Sequence, residues 1–139
     1  MRVAVIGAGP AGISASLALI ARNVHVTMLD EQPSAGGQIY RNLGNVSRKN
    51  ARSLGSDYVK GQSLLKQLEQ ANDKFFLTLI SQASVWSVTE EKEVSWSIDN
   101  KSYCQKFDAV ILATGSLERS MPLDGWTNPG VMTVGAAQI

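Results

Sequence analysis

The stretch VAVIGAGPAGISASLALIA, residues 3–21, carries no charged residue. Apolar segments of this length occur in membrane-spanning helices and in secretory signals. Three glycines and a proline interrupt this one, and they disfavour a continuous helix. They are Gly7, Gly9, Pro10 and Gly12. Residues before the interruption are β-branched and those after it are rich in alanine and leucine, so the pattern predicts a strand, a turn and a helix rather than a transmembrane segment.

The spacing Gly7-x-Gly9-x-x-Gly12 is typical of loops that hold the diphosphate of a dinucleotide. Gly7 allows a tight turn out of the strand, Gly9 lets a diphosphate approach the backbone, and Gly12 lets the helix pack close to the sheet. Pro10 suits the first helical position, because its missing N–H would have no partner within the helix. Pro10 and Ala11 open the turn whose N–H groups and positive dipole end would face the phosphates.

A second predicted strand, VHVTML at residues 24–29, is followed at once by Asp30. This acid comes about 20 residues after the glycine turn, where dinucleotide-binding folds place a carboxylate that binds ribose hydroxyls. Glu31 is the alternative by one position. A carboxylate here disfavours the 2′-phosphate of NADP.

The composition is that of a globular protein, with 44% hydrophobic and 18% charged residues. The net charge of +1 provides no electrostatic argument for binding to nucleic acid or to an anionic membrane. Cys104 is the single cysteine, which excludes an internal disulfide and a cysteine-based metal centre. We therefore expect a reduced, cytoplasmic location and no bound metal.

The middle of the chain predicts one amphipathic helix and then short strands. The helix covers residues 57–72 and packs through Leu64, Leu65 and Leu68. The segments KFFLTLI, ASVWSV, EVSWSI and KSYCQKF follow with polar turns between them, which predicts an antiparallel β-meander.

Three residues of the predicted meander are given structural roles. Trp86 and Trp96 are interpreted as packing residues of the strands rather than as a stacking platform for a ligand. Cys104 is interpreted as a partly buried strand residue.

The segment EQPSAGGQIYR, residues 31–41, resembles the second glycine corner of the glutathione reductase-like, two-dinucleotide-binding flavoproteins. The resemblance implies that the segment runs along the ribose and the pyrophosphate toward a flavin. The implied cofactor contacts are Gly36, Gly37, Gln38 and Arg41. A surface loop rich in proline, serine and glycine is the alternative.

The segment FDAVILATG, residues 107–115, predicts another buried strand and resembles a second fingerprint of the same superfamily. The resemblance implies that the backbone of Ala113, Thr114 and Gly115 passes close to the cofactor. It also implies that the backbone near Val85 contacts the adenine. Two fingerprints in this order indicate FAD rather than NAD as the cofactor.

Four segments together resemble the opine oxidase A-subunit family and its relative, the hydrogen cyanide synthase B subunit. They are LDEQPSAGGQIYR, GSDYVKGQSLL, FDAVILATGSLERSMPLDGW and NPGVMTVGAAQ. The resemblance implies an α/β, Rossmann-like three-layer FAD/NAD(P)-binding fold with a parallel sheet and an antiparallel meander. It further implies an FAD-dependent oxidoreductase that oxidises the C–N bond of an amino acid or an opine-like secondary amine. The implied partner is a second oxidase subunit.

The same resemblance divides the chain into an N-terminal part of an FAD-binding domain, residues 1–115, and a connection toward a second nucleotide-binding domain, residues 116–139. We therefore expect a fragment of a longer protein, with an incomplete FAD domain, weak FAD affinity and no activity on its own. No catalytic base or substrate-contacting residue is recognised. An NADH-dependent flavoprotein reductase of the same superfamily and a non-catalytic nucleotide-binding subunit stay open as alternatives.

Overall fold

The computed structural model describes residues 1–40, 43, 56–72, 75–116 and 119–133, with the backbone alone at residues 56, 57 and 59. In chain order the elements are β1 (Arg2–Ile6), α1 (Pro10–Ile20), β2 (His25–Leu29), α2 (Gly37–Tyr40), α3 (Ser56–Asn72), β3 (Leu77–Ile80), β4 (Ser84–Val88), β5 (Glu93–Ile98), β6 (Lys101–Lys106) and β7 (Ala109–Leu112). The predicted break between a first strand and a first helix is confirmed. Within the described ranges, every helix is too short or too polar to cross a membrane.

Four strands form a parallel sheet in the order β3-β2-β1-β7. β1 lies inside the sheet, between β2 and β7, and its residues 3–6 are buried. A parallel strand that is covered on both faces needs apolar residues at successive positions rather than in alternation. This burial explains why the strand half of the opening stretch carries no charge.

The two faces of β1 contribute to two separate hydrophobic cores, because successive side chains of a strand point to opposite sides. Val3 and Val5 pack with residues of the helices. Ala4 and Ile6 pack with residues of the meander. The molecule therefore has three layers, with the parallel sheet between the helices and the meander, as predicted.

The helical core joins α1 and α3 on one face of the sheet. Ile13 of α1 and Leu68 of α3 are buried in it. Leu64 and Leu65 pack against it partly buried, whereas the neighbouring Lys66 is exposed. The predicted packing face of this helix is thus confirmed.

The segment KFFLTLI does not belong to the meander, and the prediction for it was wrong. Its strand, β3, pairs with β2 in parallel, with Leu77 opposite Val26 and Ile80 opposite Leu29. Leu77 is buried in the core that contains Leu68 of α3. Alternating apolar and polar residues suit an edge strand of either sheet, and the packing of Leu77 against the helices decides between them. The other three predicted strands form the antiparallel meander β4-β5-β6.

Two residues of the meander are more exposed than predicted. Trp96 is buried with its ring stacked on Tyr103, but Trp86 is 62% exposed. The pairing register with β5 shifts between Val85 and Ser87, so Trp86 occupies a β-bulge, a geometry that redirects a side chain. Cys104 is exposed rather than partly buried.

Candidate dinucleotide-binding site

The carboxyl ends of three parallel strands meet at one edge of the sheet. Ile6 of β1 lies opposite both Leu29 of β2 and Leu112 of β7. The residues that follow these strands, Gly7, Asp30 and Ala113, are therefore neighbours. Ligands of open α/β sheets bind at this edge, where the chain leaves one strand toward either side.

Gly7 and Gly12 are required by the packing of the protein itself. Gly7 has a φ of +106°, and a Cβ built there would overlap the carbonyl oxygen of Ala113. A Cβ at Gly12 would overlap the carbonyl oxygen of Gly7. Both clashes are with backbone atoms, which cannot rotate away. These two glycines hold α1 against the ends of β1 and β7.

Replacing Gly12 with alanine is expected to destabilise the fold, because the added methyl group meets the buried backbone at Gly7. Overpacking of this kind costs about 1–3 kcal/mol, and more where the neighbour cannot move. Thermal unfolding of the cofactor-free protein, expressed from the complete gene, measures the loss. Ser14→Ala is the control, because Ser14 is an exposed residue of the same helix. An unfolding temperature equal to that of the wild type would contradict the close approach.

Gly9 differs from the other two glycines, because no atom of the described residues requires it. Its φ of −76° and ψ of 179° suit any residue. A Cβ built there would have Gly37 Cα as its near neighbour at 3.8 Å, which is ordinary van der Waals contact. Space for a methyl group is thus kept free at the opening of α1. This is the space that a closely approaching diphosphate would use.

The first turn of α1 offers hydrogen-bond donors beside this space. Gly9 is the N-cap and makes no side-chain cap, and α1 has no acidic residue in its first turn. Ile13 is the first residue whose N–H is bonded within the helix, to the Gly9 carbonyl oxygen at 2.9 Å. The N–H groups of Ala11 and Gly12 precede it and have no carbonyl within α1 to bond. The helix dipole adds positive potential at the same place.

The Asp30 carboxylate points to the glycine turn, as predicted for the acid at the end of β2. Its Oδ2 accepts a hydrogen bond from the Ala8 N–H at 2.5 Å, and its Oδ1 accepts one from the Gln32 N–H at 2.7 Å. Each carboxylate oxygen has a further lone pair, so acceptor capacity for sugar hydroxyls is left. Glu31, the alternative acid, is exposed, and its carboxylate accepts from the neighbouring Gln32 side chain.

The Gly36–Gly37 corner folds back onto the glycine turn. The Gly36 N–H donates to the Ala8 carbonyl oxygen at 2.8 Å. Gly37 has a φ of +62°, and a Cβ there would lie 2.8 Å from Gly9 Cα. The corner therefore lies against the free space at Gly9 and continues into α2, where Gln38 is exposed.

The end of β7 forms the other wall beside the turn. The Ala113 N–H donates to the Ile6 carbonyl oxygen at 2.8 Å, which continues the sheet by one bond. Thr114 and Gly115 follow as exposed residues. Gly115 has a φ of +70°, which favours glycine, and among the described residues a Cβ there would meet nothing within 4 Å.

The structure brings most of the predicted site residues together but not all of them. Val85 lies in β4 opposite Trp96 and packs on the meander side of the sheet, two residues after Ala83, whose N–H donates to the Asp30 carbonyl oxygen. Its assigned contact with adenine stays a prediction. Arg41 lies outside the described residues.

Sequence reasoning missed the residues that hold Asp30 in place. Its own N–H donates to the Ile80 carbonyl oxygen at 3.0 Å, and its carbonyl oxygen accepts from the Ala83 N–H at 2.8 Å. One signal was available, since an aspartate often accepts from the N–H two residues later, here that of Gln32. The bond from Ala8 depends on the tertiary structure and had no local signal.

The profile of the pyridine nucleotide-disulphide oxidoreductase family matches residues 1–138. The A subunit of opine oxidase from Agrobacterium tumefaciens (strain Ach5) is 43% identical over 97% of this chain and 28% of its own length. The HcnB subunit of hydrogen cyanide synthase from Pseudomonas aeruginosa is 30% identical over 100% of this chain and 30% of its own length. The chain thus spans less than a third of these relatives. The resemblance to the opine oxidase A-subunit family is confirmed.

Solved structures support the fold. L-proline dehydrogenase from P. horikoshii superposes with a TM-score of 0.66 at 24% identity, over 86% of this chain and 23% of its own. The bacillithiol disulfide reductase Bdr from Bacillus cereus gives a TM-score of 0.58 at 19% identity, over 82% of this chain and 28% of its own.

The family match covers nearly the whole chain and agrees with the glycine turn, the acid after β2 and the three-layer fold. The expected cofactor, FAD, and the expected class, a flavin-dependent oxidoreductase, are supported by the same match. The chain therefore belongs to the pyridine nucleotide-disulphide oxidoreductase family.

Proposed function

We propose that this chain binds the ADP half of FAD in an oxidoreductase that oxidises the C–N bond of an amino acid or an opine-like secondary amine. The observation that carries the cofactor part is the space kept free at Gly9. It is bordered by donors of the first turn of α1, by the Gly36–Gly37 corner and by the Asp30 carboxylate.

The pyrophosphate would lie over Gly9 and accept hydrogen bonds from the N–H groups of Ala11 and Gly12. This assignment uses the donors that the helix cannot satisfy itself and the positive end of its dipole. Pro10 lies beside the corner, since a Cβ built at Gly37 would lie 3.6 Å from Pro10 Cδ. Pro10 and Gly37 would thus border the diphosphate on one side.

Asp30 would accept hydrogen bonds from the ribose hydroxyls through its remaining lone pairs. Its two backbone bonds, from Ala8 and Gln32, hold the carboxylate in a fixed orientation before the cofactor arrives. Such preorganisation reduces the loss of conformational entropy on binding. Gly36, Gln38, Arg41, Val85 and the Ala113–Gly115 turn complete the proposed set of contacts, and Glu31 stays the alternative to Asp30.

FAD, when bound, supplies the acceptor for a hydride from the carbon beside the substrate nitrogen, and the resulting imine is hydrolysed by water. The described residues of this chain would bind and orient the cofactor. They would not act on the substrate themselves. The chain spans less than a third of these relatives, and the proposal assigns it no substrate-contacting residue.

The substrate class is supported by the relatives. The A subunits of two opine oxidases, from Agrobacterium tumefaciens (strain Ach5) and Rhizobium meliloti (strain 1021), are each 43% identical to this chain. Those proteins and HcnB are named as subunits, which supports a hetero-oligomer with a second oxidase subunit.

The test is the identity of the cofactor and of the electron donor. We expect acid extraction of the purified complete gene product, with any co-purifying subunit, to release FAD, identified by chromatography against FAD, FMN and NAD. Under anaerobic conditions, amino acids and opines are expected to bleach the visible flavin absorbance, whereas NADH is expected to act slowly or not at all. Buffer without a donor is the control.

Three results would contradict the proposal in different ways. Release of NAD, or of no nucleotide, would contradict the assignment of FAD as the cofactor. Rapid bleaching by NADH and none by amines would indicate a reductase of the same superfamily. Bound FAD that neither donor reduces would indicate a nucleotide-binding subunit without its own turnover.

A further inference from the structure

We propose that Gly61 of α3 is a positioning residue for the cofactor. It acts through Tyr40, and Tyr40 holds the Gly36–Gly37 corner in place beside Gly9. This inference rests on the proposed function, because the corner is one of the proposed borders of the pyrophosphate. Gly61 lies far from the glycine motif in sequence and within a long helix. A glycine inside a helix lowers helix stability relative to alanine, so it calls for a specific reason.

The reason for Gly61 is the ring of Tyr40. A Cβ built at Gly61 would lie 2.5 Å from Tyr40 Cε1, 2.6 Å from Cδ1 and 2.7 Å from Cζ. Gly61 is buried, and the ring therefore rests directly on the backbone of α3. Tyr58 meets the same ring edge-on, with centroids 6.4 Å apart and planes at 71°. α3 thus forms the surface on which the Tyr40 ring packs, and the ring can lie this close only when residue 61 is glycine.

Tyr40 is joined to the corner by its backbone. Its N–H donates to the Gly36 carbonyl oxygen at 3.2 Å. A Cβ at Gly36, where φ is +133°, would lie 2.6 Å from the Tyr40 carbonyl oxygen. The two ends of the corner are therefore in contact, so a displacement of the Tyr40 backbone would reach Gly36.

The Gly36–Gly37 corner is in turn in contact with the glycine turn at residues 7–12. Gly36 donates to the Ala8 carbonyl oxygen, and Gly37 packs on Gly9 closely enough that a Cβ would come within 2.8 Å of its Cα. A methyl group at Gly61 would lift Tyr40, move the corner and change the space beside Gly9. Its effect would reach the cofactor without any contact between Gly61 and the ligand.

Gly61→Ala in the complete gene product is expected to raise the Kd for FAD about tenfold, as expected for a steric displacement of this size. Alanine favours the helix, but its methyl group displaces the Tyr40 ring, so the unfolding temperature of the cofactor-free protein is expected to fall by less than in Gly12→Ala, where the methyl group meets backbone. Flavin fluorescence titration of the cofactor-free protein measures the Kd. Visible circular dichroism of the bound flavin reports its orientation and is expected to change.

Rescue by a second substitution separates positioning from a merely structural role. Tyr40→Ala removes the ring that the new methyl group would strike, so Tyr40→Ala/Gly61→Ala is expected to bind FAD more tightly than Gly61→Ala alone. Lys66→Ala, at an exposed position of the same helix, is the control, with an affinity for FAD close to that of the wild type.

Each failure has a distinct meaning. Wild-type protein without FAD would overturn the proposed function and this inference with it. Wild type that binds FAD, together with a Gly61→Ala protein of unchanged affinity, would overturn this inference alone. A Gly61→Ala protein that does not fold, that loses as much stability as Gly12→Ala, or that Tyr40→Ala does not rescue would show a structural contact and overturn the positioning role.

Discussion

Gly9→Ala is expected to raise the Kd for FAD about a hundredfold while leaving the unfolding temperature of the cofactor-free protein unchanged. The added methyl group has room in the protein, since its near neighbour would be Gly37 Cα at 3.8 Å. It would occupy the space that the diphosphate is proposed to use. A clash of this kind costs about 3 kcal/mol, and each 1.4 kcal/mol is tenfold in affinity.

Gly12→Ala is the informative comparison for Gly9→Ala, because it adds the same methyl group three residues later. There the group meets the Gly7 backbone, so stability is expected to fall before the cofactor is added. Affinity from fluorescence titration and unfolding temperature, measured for both variants, should separate a ligand-facing glycine from a packing glycine. Equal losses of stability in the two variants would remove the argument for a diphosphate at Gly9.

Asp30→Ala is expected to weaken FAD binding by about a hundredfold and to lower the unfolding temperature of the cofactor-free protein by several degrees. The carboxylate accepts from the N–H groups of Ala8 and Gln32, and the first of these belongs to a buried residue. Hydrogen bonds to charged groups contribute about 1.5–3 kcal/mol each, and a buried donor without its acceptor costs about 1–3 kcal/mol. The proposed ribose contacts are lost as well.

Glu31→Ala is the matched control, since Glu31 is the adjacent carboxylate, is exposed and bonds only a neighbouring side chain among the contacts that the structure describes. It is expected to leave both the Kd and the unfolding temperature unchanged. Asp30→Asn keeps one acceptor oxygen and is expected to fall between wild type and Asp30→Ala. If Glu31→Ala weakened binding and Asp30→Ala did not, the ribose role would move to Glu31.

The local elements around the site were predictable because short-range chemistry determines them. The glycine spacing and Pro10 predicted the end of β1 and the start of α1, and the structure begins α1 at Pro10. The β-branched run before Gly7 predicted a buried strand, which is the strand inside the sheet. Such signals depend on the backbone conformations and the burial of a few neighbouring residues, and both follow from the types of those residues.

Partners in the sheet were harder to predict. KFFLTLI was recognised as a strand but assigned to the wrong sheet, because its residue pattern does not indicate which strand it pairs with. Trp86 was placed inside the meander by alternation alone, and the bulge beside Val85 exposes it. The first outcome depends on pairing with β2, which lies far away in sequence, and the second on pairing with the next strand, β5.

The amino-acid sequence by itself determined the strand-turn-helix unit, the acid that follows the second strand and the family to which the chain belongs, because each depends on residue types at short, fixed spacing. Only the tertiary structure decided which glycines serve packing and which one leaves space for a ligand. It also decided that Asp30 holds Ala8 and that Tyr40 rests on Gly61. These roles arise from contacts between distant segments, and side-chain volume and direction in three dimensions settle them.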